Sequence, residues 1–232
     1  MSIPNSMQGR LSLPLVGAPL FIISNPDLVI AQCKAGVVGS FPALNARPVE
    51  VLDQWLTRIN EELDAHNQAN PDNPAAPYAV NQIVHGSNDR LMQDVELCVK
   101  HKAPVIITSL GARPEVFEAI HSYGGICLHD VINNRFAHKA IEKGADGLIC
   151  VAAGAGGHAG TLSRPILLSG AIATGDGILA ARAMGADLAY MGSAFIATEE
   201  ANANLAYKQA LVDYAASDIV YTNLFTGVHG NY

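Results

Sequence analysis

The feature that most constrains this chain is a repeat of two alternating kinds of segment. Short apolar runs without polar alternation (VVGSFP, YAVNQIV, PVIITSL, GICLHDV, GLICVAA, PILLSGA and LAYMGSA) are separated by segments in which apolar residues recur at helical spacing. A strand that is apolar at every residue has to be covered on both faces, which marks a parallel sheet with helices around it. An earlier run, LPLVGAPLFIIS, opens the series and brings the reading to eight strands and seven helices. The clearest helix, RPVEVLDQWLTRINEELDAHNQ, sets Val49, Leu52, Trp55, Leu56, Ile59 and Leu63 on one face.

Strand–helix repetition at this count predicts an α/β chain folded as a (β/α)8 TIM barrel, a single domain over residues 1–232. The competing open, doubly wound sheet would carry GxGxxG after its first strand, and this chain has none there. One unit departs from the pattern. Only 12 residues, Ala153 to Arg164, join strands six and seven, and GAGGHAGTLSR has no helical periodicity. A parallel crossover takes a dozen or more residues and usually a helix. The expectation is that the sixth helix is absent from the sequence as it stands. The tail YTNLFTGVHGNY, with Asn223, His229 and Asn231, has no helical pattern and reads as a lid over the barrel or a frayed end.

Half of the 232 residues are apolar, 15% are charged and the formal net charge is −7. That balance argues against nucleic acid or an anionic membrane as a partner, because both are met by basic patches. The four cysteines, Cys33, Cys98, Cys127 and Cys150, form no CxxC pair, so zinc and dithiol readings fail on spacing and no metal is expected. They read as free thiols of a reducing compartment. No leader pattern opens the chain, and no apolar run reaches the ~18 residues that span a bilayer. The expectation is a soluble cytoplasmic protein. Its oligomeric state is left open, a homo-oligomer included.

Active sites of such barrels lie at the C-terminal ends of the strands. The candidates there are Ala18, Pro19, Leu20 and Phe21, then Ser40, Asn81, Thr108 and Ser109, His129 and Asp130, His158, Ser169, Gly170 and Ala171, and Gly192 with Ser193. The last two groups follow strands seven and eight, where small residues let backbone N–H groups approach phosphate oxygens. SGAIATGDG before ILAARAMGA and the MGSAF turn both suit this, with ordinary tight turns as the alternative. His158 stands alone among glycines and alanines, which leaves room for a flat ring and a substrate beside an imidazole able to take a proton near neutral pH. The His129–Asp130 pair is also compatible with a local hydrogen-bonded turn. His85, His101, His121 and His138 read as helix or helix-adjacent groups without a site, and His66 as solvated.

GAPLF, GAGGHAGT, LSGAIATGDGILAARAMGAD and MGSAFIAT, in this order and across nearly the whole chain, resemble the nitronate monooxygenases, formerly 2-nitropropane dioxygenases. The resemblance implies a barrel with non-covalent FMN and no metal, oxidising alkyl nitronates, and possible nitroalkane substrates, with O2 to a carbonyl compound and nitrite. It implies Ala18, Pro19, Leu20, Phe21 and Asn81 against the flavin, and Gly156, Gly157 and His158 beside the ring with His158 next to the substrate. Ser169, Gly170, Ala171, Gly192 and Ser193 would hold the phosphate. Asp130 takes a cofactor-facing position where many relatives carry Lys, and Ala194 stands where many carry Arg. Relatives also have a helix after GTLS and run on past GVHGNY, which implies a C-terminal portion absent here as well. The alternative is an FMN-dependent NAD(P)H reductase of quinone or enoyl-thioester type, whose barrels share a similar Gly-Gly-His loop. A flavin-free isomerase or aldolase would want a Lys or Glu in the barrel mouth, and no strand ends on a Lys.

Overall fold

The computed structural model describes residues 3–151, 165–224 and 230–231. Eight strands carry the fold: β1 (Leu15–Gly17), β2 (Ser40–Pro42), β3 (Ala79–Ile83), β4 (Val105–Ser109), β5 (Ile126–Val131), β6 (Gly147–Val151), β7 (Ile166–Ser169) and β8 (Leu188–Met191). They form one parallel sheet in the order β1-β8-β7-β6-β5-β4-β3-β2. The two edges meet. Val16 bridges Val38 in parallel, the Gly17 amide donates to Val38 O at 2.9 Å, and the Val38 amide donates to Leu15 O at 3.2 Å. The sheet is therefore a barrel, as the alternating pattern predicts. Helices lie between the strands: α1 (Pro26–Lys34), α2 (Val49–Ala69), α3 (Leu91–Lys100), α4 (Pro114–His121), α5 (Asn134–Glu142) and α6 (Gly175–Ala183), then α7 (Ser193–Ile196) and α8 (Leu205–Asp213) after β8.

Strand alternation splits each run into two faces. Val16, Val38, Ala79, Val105, Ile107, Leu128, Ile149, Leu167 and Leu188 point inward and pack as one cluster, closed below by Met7 of the N-terminal turn. The residues between them, among them Phe41, Val80, Ile106, Cys127 and Leu148, point outward and pack against the helices. Helix α2 shows how the outer layer is written in sequence. Leu52, Leu56, Ile59 and Leu63 are buried, while Trp55 packs at the margin, edge-on to Phe41 with ring centroids 5.6 Å apart. Each such leucine contributes roughly 1.5–3 kcal/mol by leaving water.

A local rule repeats where α5 and α6 return to the sheet. Both end in Gly-Ala-Asp. Gly144 and Gly185 take φ of +109° and +99°, the left-handed turn that stops a helix and that glycine adopts without strain. Ala145 and Ala186 then bond back to Ala140 O and Ala181 O. Asp146 and Asp187 donate their amides to Cys127 O and Ile166 O on the neighbouring strand. Their Oδ2 atoms accept the Cys127 and Ile166 amides at 2.7 and 3.0 Å. One tripeptide thus ends the helix and fixes the register of the strand that follows.

Several boundaries differ from expectation. The first strand is three residues long, because the chain leaves the sheet at Ala18 and turns before Pro26. A one-turn helix, α7, precedes the last helix, and α8 starts at Leu205 where its Asn204 cap accepts the Tyr207 amide, so eight helices are described against the seven predicted. No side chain of α8 is buried. The tail is paired: β9 (Tyr221–Thr222) lies antiparallel to β10 (Gly230–Asn231), with the residues between them outside those described. The connection from β6 to β7, where the sixth helix was in question, also lies outside the described residues. The strands at its two ends pair in parallel from Leu148–Ile166 to Val151–Ser169.

Candidate active site at the barrel mouth

The C-terminal ends of the strands gather a layer of inward side chains. Asn81 of β3 is buried and donates to Ile107 O at 3.1 Å and to Ser109 Oγ at 2.8 Å. Asp130 of β5 lies on the same inward face, near Ser109 and the Leu110 backbone. Burial pushes the Asp130 carboxyl above the usual carboxylate range, and the nearby polar groups of Ser109 and the Leu110 backbone act against the rise. Tyr190 of β8 faces the same space: burial and then the nearby Asp130 charge push its phenol up, so it stays protonated. Ser40 of β2 donates to Gly17 O and seals the first two strand ends.

The loop after β1 is stitched over this layer. Ser24 Oγ accepts the Leu20 amide at 2.9 Å. Asn45 Oδ1 accepts the Ile22 amide at 2.8 Å, while its Nδ2 donates to Leu20 O and Ser24 O at 3.0 and 2.8 Å. Asn202 closes the far side through Ile22 O and Ile23 O. These bonds hold Ile22 at φ +68°, a left-handed conformation that a β-branched residue rarely takes. The result is an apolar rim: Phe21 is 57% exposed, Ile22 62%, Leu110 70% and Ile132 72%. Arg47 lies 5.5 Å from the Phe21 ring centroid.

On the opposite side, β7 and β8 end in turns built for backbone donors. Gly170 and Ala171 both have positive φ, +124° and +51°. The amides of Gly170, Ala171, Ile172 and Ala173, and those of Gly192 and Ser193, engage no acceptor among the described residues. Thr174 caps α6 by accepting the Gly177 amide at 3.2 Å. A Cβ at Gly192 would stand 3.3 Å from Leu20 and 3.4 Å from Ala18, so glycine there keeps the β8 turn pressed against the β1 loop. Row and rim together fit a ligand with one anionic end and one flat apolar face.

The structure thus brings Ala18, Pro19, Leu20, Phe21, Asn81, Asp130, Ser169, Gly170, Ala171, Gly192 and Ser193 to one end of the barrel. Gly156, Gly157 and His158 lie outside the described residues. His129, the neighbour of Asp130, is on the other face. It points outward, is 5% exposed, and pairs through Nδ1 with Thr108 Oγ1 at 2.7 Å. Burial, and after it the Lys143 charge, lowers its pKa to about 4, which keeps the imidazole neutral. His129 and Thr108 are wall groups, so the strand-end reading of these two is corrected by the period-two alternation of β4 and β5. His121 has a partner, Asp146, at 2.8 Å beside Cys127, at the opposite end of β5 from Asp130. Sequence reasoning missed Tyr190 as a site residue. Its signal was parity: it is two residues before Gly192 and shares the inward face with Leu188.

A closed parallel barrel with its donors and acid at the C-terminal mouth is the frame of the barrel enzymes. The model of the nitronate monooxygenase family matches residues 8–230. The chain belongs to that family, and so is an oxidoreductase. It is 30% identical over 276 residues to a probable nitronate monooxygenase of Staphylococcus saprophyticus, covering 98% of this chain and 78% of that one. It is 26% identical over 263 residues to a probable nitronate monooxygenase of Bacillus subtilis, covering 94% and 75%. Among solved structures, nitroalkane oxidase from Streptomyces ansochromogenes superposes with a TM-score of 0.82 at 22% identity, covering 98% of this chain and 78% of that one. That likeness concerns the fold. No helix among the described residues is long and apolar enough to cross a membrane.

Proposed function

We propose that the mouth holds FMN without a covalent bond and that the chain oxidises alkyl nitronates with O2 to a carbonyl compound and nitrite. The observation that carries this reading is the pairing, in one mouth, of an apolar rim with a row of unengaged backbone amides at the β7 and β8 turns. FMN has a flat aromatic ring and a dianionic phosphate, and those two surfaces are its complements. Ser169, Gly170, Ala171, Gly192 and Ser193 would hold the phosphate; Ala18, Pro19, Leu20, Phe21, Asn81 and Asp130 would face the ring. Bound FMN supplies the capacity to take electrons from an organic substrate and deliver them to O2.

The chain's own part is to bind, orient and handle protons. The rim removes water from the reacting face, which strengthens every hydrogen bond made there. Asn81 is held by two bonds to β4 and presents a fixed amide to the cavity. His158, with Gly156 and Gly157 beside it, completes the proposal by donating a hydrogen bond to the anionic nitro group. The names of the relatives support the substrate class: nitronate monooxygenase for the two curated proteins, nitroalkane oxidase for the structural neighbour. The test is direct. The purified protein should be yellow, release FMN on denaturation, and produce nitrite from ethyl nitronate or propionate 3-nitronate in air without NAD(P)H. A colourless preparation that no added FMN saturates, or a flavoprotein that oxidises NAD(P)H and leaves nitronates untouched, would refute it.

A further inference from the structure

The end of the barrel away from the mouth carries a side-chain cluster that the proposed reaction does not use. Helix α4 stops at His121 because Gly124 turns left-handed at φ +85°. The Gly124 amide bonds His121 O at 3.0 Å, and the Gly125 amide bonds Ile120 O at 3.1 Å. The chain then enters β5, where Cys127 faces the helix layer and is fully buried. Across the ladder Asp146 precedes β6, with its amide bonded to Cys127 O at 2.8 Å and its Oδ2 accepting the Cys127 amide at 2.7 Å. The same Oδ2 lies 2.8 Å from His121 Nε2. The ligand atoms of His121, Cys127 and Asp146 all lie within 4.8 Å of one another. The equivalent turn before β8 is an internal control. Asp187 clamps Ile166 there as Asp146 clamps Cys127, so holding the register takes a carboxylate and two backbone groups, and no thiol. The thiol and the imidazole of the β5–β6 copy are extra to the clamp.

We propose that His121, Cys127 and Asp146 bind Zn2+ as a clip that ties the end of α4 to the starts of β5 and β6. One sulfur, one imidazole nitrogen and one carboxylate oxygen form a mixed donor set that suits a borderline-soft divalent ion. Zinc takes sulfur at about 2.3 Å and nitrogen or oxygen at about 2.0–2.2 Å in a tetrahedron, which sets ligand atoms about 3.3–3.6 Å apart. The cluster reaches that spacing when His121 Nε2 and Asp146 Oδ2 part by about half an ångström, the ion replacing the hydrogen between them. The Cys127 thiol releases its proton to solvent and ligates as thiolate. The Cys127 amide stays on Asp146 Oδ2, as the outer bond that orients a ligating carboxylate. The side chains of His121 and Asp146 are 38% and 35% exposed, which gives the ion its way in and leaves the fourth position to water. No spacing rule finds such a site. The expectation of no metal rested on the missing CxxC pair, whereas these ligands are six and nineteen residues apart and meet only through the ladder. The cluster stands at the opposite end of β5 from Asp130, so its test is independent of the function proposed for the mouth.

The test uses the full chain, untagged and as purified, dialysed against micromolar free Zn2+ and then analysed for metal. One equivalent should be retained. Co2+ in its place should give the near-ultraviolet thiolate-to-metal absorption and the intense visible bands of a tetrahedral site. Cys127→Ala should lose the thiolate absorption. His121→Ala changes an exposed side chain and so leaves the fold in place. It should weaken Zn2+ binding by more than about 100-fold, beyond the cost of losing an outer partner. Because the ligands come together only in the folded chain, Zn2+ at about 100 times its dissociation constant should raise Tm by about 5–10 °C in the parent, and should leave His121→Ala unmoved. Retention of less than half an equivalent by the parent, a Co2+ spectrum without thiolate absorption, or equal Zn2+ retention in the parent and His121→Ala would overturn the site.

Discussion

Asn45 makes the most exacting prediction about the mouth, because one side chain secures three backbone groups of the β1 loop. It accepts from the Ile22 amide at 2.8 Å and donates to Leu20 O at 3.0 Å and Ser24 O at 2.8 Å. At about 0.5–1.5 kcal/mol net for each bond, and taking the lower half because the site is only partly buried, Asn45→Ala should cost about 1.5–3 kcal/mol. Its loss also frees Ile22 from φ +68°, so the loop should relax and FMN should bind more weakly. Asn45→Asp is the sharper variant. It keeps an acceptor for Ile22 but turns the two donors into a carboxylate oxygen facing two carbonyls. It should therefore be less stable than Asn45→Ala at pH 7, and should recover part of the deficit below pH 4, where the protonated acid can donate one bond. Urea titration followed by Trp55, the chain's single tryptophan, measures both. The midpoint should fall with little change in slope, and for a domain of this size Tm should drop by about 3–12 °C. If Asn45→Ala came within 0.5 kcal/mol of the parent, or Asn45→Asp matched or exceeded it at pH 7, the stitched-loop account would be wrong.

At the β8 turn, Gly192→Asp adds bulk where a Cβ already meets Leu20 at 3.3 Å and puts a negative charge beside the proposed phosphate row, so the protein should purify without flavin; full FMN occupancy would remove Gly192 from the site. His129 sets an acid limit on stability. Its folded pKa of about 4 lies below an unfolded value near 6.5, so its burial is tolerated fully above pH 6.5, and stability is lost as pH falls through 6.5 towards 4. The loss between pH 7 and pH 4.5 should be about 2–3 kcal/mol and should shrink in His129→Gln; an equal pH dependence in parent and variant by urea titration would contradict it.

How much of this was legible depends on which physical rule was at work. The barrel could be read because continuously apolar runs leave a parallel sheet few alternatives, and the strand-end positions followed from the barrel. Residue parity along each strand was equally present in the sequence, yet the reading took His129 and Asp130 as a pair. One rung apart on β5, they face opposite sides, and only the register against Thr108 shows which is which. The first strand was over-read because LPLVGAPLFIIS is apolar throughout. What ends it at Gly17 is tertiary: the loop's amides and carbonyls are claimed by Asn45 and Asn202, far along the chain. The single-histidine reading of GAGGHAGT falls outside the described residues.

The opposite orientations of His129 and Asp130 also bear on how this barrel can change over generations. Position 129 belongs to the wall, where any exchange must satisfy Thr108 and the helix layer behind it. Position 130 belongs to the mouth layer, near Ser109, Leu110 and Tyr190. A change at 130 therefore alters what the mouth presents, and a change at 129 alters how the sheet meets its helices, although the two positions are neighbours in sequence. Two neighbouring residues are, in effect, inherited as independent traits.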